Sequence, residues 1–138
     1  MRAAQFRAMR EALGLSQRDV ADEAGVDRRS VKSWEAGVYP IPADVAEWLS
    51  GEKAVADYAV QNAVKDILSS EFVPCTVSIT YYRTQEEYDS FGRDDGRFGI
   101  SNANARRVAD ALEAEGIACE FYYPGESEEV EQAKELTR

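Results

Sequence analysis

The chain has 138 residues, 44% of them hydrophobic and 30% charged, with two cysteines and no histidine. That length holds one domain or two very small ones, and the missing histidine removes the commonest general base, the usual hydrolytic triads and most catalytic zinc sites. Sixteen Lys and Arg against twenty-six Asp and Glu leave a net charge of −10, an unfavourable balance for a polyanion partner unless the charge is segregated along the chain. It is segregated. Residues 1–40 hold seven basic and six acidic side chains, a net of +1, and the remaining residues carry −11. The apolar runs are broken by charges within a few residues, so neither a signal peptide nor a membrane span is expected. Cys75 and Cys119 lack the paired spacing of a zinc site and read as reduced thiols of a cytoplasmic protein, with a disulfide between them as the lesser alternative. No enzyme activity, metal or cofactor is expected.

In chain order, Phe6, Met9, Arg10 and Leu13 stand at helical spacing and predict a helix from about Ala3 to Leu13, ended by Gly14. Ser16 with Asp19 three positions on forms an acidic capping box for a second helix, which turns Val20, Ala21 and Ala24 inward and breaks at Gly25. Asp27 caps a third helix with a buried stripe of Val31 and Trp34, and Gly37 ends it before the turn from Pro40 to Pro42. Pro42 opens a fourth helix, Ala43 to Ser50, and Gly51 marks a break. A fifth, from Glu52 to about Ser69, shows a wide apolar face of Ala56, Ala59, Val60, Ala63, Val64, Ile67 and Leu68. A domain boundary is placed near Ser70.

Beyond Ser70 the period changes to two. Cys75, Val77, Ile79 and Tyr81 alternate with polar residues as a half-buried strand, and Thr84 with Glu87 caps a short helix through Tyr88 and Phe91. A glycine-rich loop follows from Gly92 to Gly99, then a helix capped by Ser101 with Val108 and Leu112 inward. Gly116 stops it before a second strand of Ile117, Cys119, Phe121 and Tyr123. Both cysteines fall on the inward phase and read as small core residues. Asp94-Asp95-Gly96 reads as a turn, since the later ligands of a calcium loop are missing. Pro124 to Arg138 is glutamate-rich and reads as a solvated helix or a frayed tail. The expected fold class is α+β: an all-helical domain of about five helices over residues 1–70, then a small strand-helix-helix-strand domain over residues 71–138.

The stretch from Leu15 to Gly37 resembles the helix-turn-helix of the XRE family, the lambda repressor and Cro group. The resemblance covers residues 5 to about 48 and rests on Gln17 after the cap, Ala21 at the helix contact, Gly25 in the turn, Val31, and the Trp34-Glu35-x-Gly37 ending. It implies a sequence-specific regulator of double-stranded DNA. Arg28, Arg29 and Lys32 would read bases, Ser30 or Ser33 would assist, Gln17 would bind phosphate, and Tyr39 would offer its hydroxyl to the backbone where the family often places cations. Arg10 and Glu35 would form a structural pair. The residues supply an independent argument: Arg28 and Arg29 sit at the positive end of a helix dipole, where cations are disfavoured by up to about 1 kcal/mol each, and pairing with guanine compensates for that.

One recognition helix covers few base pairs, so a regulator of this size is expected to dimerise and read a palindrome, with the two-stranded domain as the dimeriser. The layout also resembles, more loosely, the anti-CRISPR-associated autorepressors of phages, which implies repression of the protein's own operon. The alternative is an antitoxin that keeps the DNA site and uses its C-terminal domain to bind a toxin. No membrane partner is expected.

Overall fold

A computed structural model describes residues 1–126. It divides into two compact units, residues 1–59 and a second from residue 60 onward, and the division falls inside a long helix. The fold class is α+β, with six helices and one small sheet among the described residues.

In the first unit, α1 (Ala3–Ala12), α2 (Gln17–Ala24) and α3 (Arg28–Glu35) follow in quick succession. The capping box of α2 is complete: Ser16 Oγ accepts from Asp19 N at 3.0 Å, and Asp19 Oδ2 accepts from Ser16 N at 2.8 Å. Gly25 closes α2 at φ +68°, a left-handed conformation that costs a side chain dearly, and Val26 N returns to Ala21 O at 3.0 Å. That turn sends α3 across α2 with Ala21 and Val31 buried. Phe6 and Val20 are fully buried beside them, and the Phe6 and Trp34 rings meet edge to face at 6.3 Å.

Helix α4 (Ala43–Leu68) runs without interruption through Gly51, so four helices precede the sheet where the sequence suggested five. A helical glycine costs only about 1 kcal/mol against alanine, and the helix formers on both sides of Gly51 outweigh that. Val45, Leu49 and Ala56 turn inward, whereas Ala59 is exposed.

In the second unit, β1 (Thr76–Thr80) and β2 (Ala118–Tyr122) pair in parallel, Thr76 opposite Ala118 through Thr80 opposite Tyr122. Parallel neighbours need a long crossover, and α5 (Gln85–Phe91) with α6 (Phe98–Ala114) supplies it. Helix α6 packs on both strands. Tyr88, Ala103, Ala109, Leu112 and Ile117 make the core. The buried Asn102 takes the place of a strand neighbour: its Oδ1 accepts from Tyr82 N at 3.0 Å and its Nδ2 donates to Tyr82 O at 2.8 Å.

Two expectations change here. Helix α6 begins at Phe98, three residues before Ser101, because its first amide is capped from another helix: Phe98 N donates to Gln85 Oε1 at 3.0 Å. Cys75, just before β1, is exposed, while Cys119 is half-buried with its thiol against Ala109 O. Burial, and then Glu113, push that thiol upward in pKa. Both cysteines are free. The Asp94 turn is closed by its own side chain, which accepts from Gly96 N at 2.9 Å and from the Tyr88 hydroxyl. Gly92 is required beside it, because a Cβ there would stand 2.6 Å from the Tyr88 ring. The reading of the tail after Glu126 lies outside the described residues.

Candidate nucleic-acid interface

The first unit builds an exposed cationic side on α3. Asp27 caps the helix, accepting loosely from Arg29 N at 3.5 Å, and Arg28 and Arg29 are its first two residues. Arg28 and Lys32 are four residues apart and Arg29 and Lys32 three, so the three cations share one side of the helix. All three are exposed, while Val31 and Trp34 fill the opposite side. Ser30 and Ser33 are half-buried on the flank. Tyr39 lies past the end of α3, 65% exposed.

Behind this side stands a buried ion pair. Arg10 of α1 and Glu35 of α3 pair through both guanidinium edges, Nε to Oε2 at 2.6 Å and Nη2 to Oε1 at 2.9 Å, with side chains 11% and 4% exposed. Arg10 Nη1 also donates to Leu15 O at 2.9 Å, in the turn between α1 and α2. Three donors of one guanidinium thus hold α1, the first turn and the end of α3 together. Gln17, first residue of α2, joins the group: its Nε2 donates to Glu35 Oε1 at 3.3 Å, and its Oε1 accepts from Arg28 Nε at 3.4 Å.

The structure therefore brings Arg10, Glu35, Gln17 and Arg28 into one hydrogen-bonded series and leaves Arg29, Lys32 and Tyr39 outside it. Sequence reasoning missed the links from Gln17 to Glu35 and Arg28, and the role of the Leu15 carbonyl. Their only signal was that Gln17 and Arg28 each follow a cap, which places both at helix starts. Among the described residues no group of three or more His, Cys, Asp or Glu is placed to hold a metal. No helix there is long and apolar enough to cross a membrane.

Two short helices crossing over a left-handed glycine, the second with an exposed cationic side backed by a buried ion pair, define a DNA-binding helix-turn-helix. The comparison with known families agrees: residues 6–50 match the model of the helix-turn-helix family. This segment is an XRE-type helix-turn-helix, and the protein is a DNA-binding transcription regulator. No curated protein matches the sequence.

Proposed function

We propose that the protein is a cytoplasmic repressor that binds a palindromic operator as a homodimer and regulates its own operon. The observation that carries this reading is the shared exposed side of Arg28, Arg29 and Lys32 at the start of α3, the end that a recognition helix points at base edges. Arg28, Arg29 and Lys32 read bases, with Ser30 and Ser33 assisting at the flank. Gln17 and Tyr39 contact the DNA backbone. The two domains, 1–70 and 71–138, divide the work between reading and pairing.

Dimerisation is supported by the second unit. A two-stranded parallel sheet leaves an outer edge on each strand, and Phe121 and Tyr123 stay 42% and 36% exposed near its end. A symmetric dimer then reads two half-sites about 34 Å apart.

Selection of binding sequences by the full chain from a random duplex pool, at stated salt, followed by light scattering of the free protein, tests both parts. The expected result is an inverted repeat and twice the chain mass. A single asymmetric site bound by a monomer overturns the homodimer. A monomer whose sheet is covered only by a different, co-expressed protein identifies the antitoxin reading instead.

A further inference from the structure

We infer that the second unit pairs through one edge of its sheet only: β2 lies antiparallel to β2 of a second copy, in a register centred on Phe121, so that two small sheets become one of four strands. This rests on the homodimer proposed above and names the strand, the direction and the register by which it forms.

The backbone selects the strand. In a parallel pair, alternate residues turn their N–H and C=O towards the neighbouring strand, and the residues between them turn both groups away. Ala118 N donates to Cys75 O at 3.0 Å and Tyr81 N donates to Tyr122 O at 2.8 Å, so Ala118, Glu120 and Tyr122 address β1. Cys119 and Phe121 therefore present their backbone groups at the outer edge of β2. By the same alternation, the outer edge of β1 belongs to Thr76, Ser78 and Thr80, and then to Tyr82. That edge is closed at its end, because the Asn102 amide of α6 holds both backbone groups of Tyr82. A strand added along β1 would meet Asn102 where its own backbone should run. Among the described residues no strand borders the outer edge of β2.

Side chains select the register. Residues directly opposite in an antiparallel pair share a face of the sheet, and a symmetric pair has its axis at one residue. An axis at Glu120 would set that carboxylate against its own copy, a destabilising like-charge pair. Axes at Cys119 or Tyr122 would carry one end of the strand against the turns at Gly116 and Gly125, where φ is +84° and +94° and the chain leaves the sheet. An axis at Phe121 sets the two Phe121 side chains against each other and Glu120 against Tyr122 of the partner subunit. Phe121, 42% exposed in the single chain, is then covered by a second ring. The Tyr122 hydroxyl, which donates to Glu120 of its own chain, meets a second Glu120 across the axis.

The test uses the full chain. Light scattering gives its mass, and amide hydrogen exchange is followed residue by residue by NMR, each rate taken relative to that of an unstructured peptide. In the dimer, the Phe121 amide should exchange at least about tenfold more slowly than that of Ser78 on the outer edge of β1. Register is read by oxidative cross-linking after Cys75→Ser and Cys119→Ser remove the native thiols, with melts confirming that each variant is folded. Phe121→Cys should give a covalent dimer and Glu120→Cys should not, because only residue 121 meets its own copy within disulfide reach. Should Phe121→Cys itself dissociate the dimer, exchange in the unaltered chain decides the edge. A dimer with Ser78 protected and Phe121 free, a dimer with neither amide slowed, or faster cross-linking of Glu120→Cys overturns the inference and leaves the homodimer standing. A monomer at every concentration overturns the homodimer, and this inference with it.

Discussion

The two units are held together in different ways. In the first, the key polar contact joins residues 25 apart in sequence and is nearly sealed from water: Arg10 and Glu35, with the Leu15 carbonyl completing the set. In the second, the ion pairs are wetter, Arg83 meeting both Glu87 and Glu126, and aromatic rings lie at the surface, Tyr81 edge to face with Phe121 at 5.5 Å and Tyr123 under the Arg83 guanidinium at 4.1 Å. A buried pair fixes geometry because each charge is costly without the other, while exposed pairs contribute little and leave apolar rings in reach of a partner. The difference accords with the division between reading and pairing proposed above.

Four changes would break or sharpen that contrast. Glu35→Ala strands a buried guanidinium and should cost the first unit about 3–5 kcal/mol in a denaturant melt, while Arg10→Met with Glu35→Leu should cost much less. Leu112→Ala, at a fully buried site, should cost about 2–5 kcal/mol in the second unit, and the contrast predicts that amides of α1 to α3 keep their hydrogen-exchange protection. Phe121→Ser with Tyr123→Ser should weaken self-association tenfold or more, as read by sedimentation; an unchanged dimer would move the interface off the aromatic surface. At about 1 kcal/mol, the smallest change is Tyr88→Phe, which removes the hydroxyl that Asp94 accepts.

That last bond also has a pH signature. The Tyr88 hydroxyl, and then Gly96 N, hold the Asp94 carboxyl below its ordinary range, so its contribution is complete above about pH 4 and is lost as pH falls through the lowered value. Burial, and then Asp94, push the Tyr88 phenol up to about 12, so its contribution is complete below about pH 10 and is lost as pH rises towards 12. Tyr88→Phe should therefore flatten the acid limb of a stability profile of the second unit and abolish this tyrosine's share of the alkaline limb.

Much of the fold was legible because its signals are local. The Ser16–Asp19 box, the Asp27 cap and the left-handed Gly25 depend on neighbours within a few residues, and each stands where its sequence pattern put it. Signals failed where a partner came from elsewhere in the chain. Ser101 has the chemistry of a cap, but Gln85 reaches the amide of Phe98 first, and the helix starts earlier. Gly51 looks like a stop, but a glycine ends a helix only when the chain beyond it turns, and α4 continues. The inward phase named for both cysteines held only for Cys119: Cys75 bonds Ala118 N through its carbonyl, yet its side chain is exposed just before β1.

By itself the sequence determined the helical order of the first forty residues, the cationic start of α3 and the two-period strands, since caps, glycines and hydrophobic spacing act over one or two turns. Only the tertiary structure decided that β1 and β2 run parallel, that Asn102 stands in for a strand, and that Glu35 reaches Arg28 through Gln17. Those are meetings between residues 11 to 42 positions apart, where side-chain length and crossing angle, rather than local propensity, choose the partner.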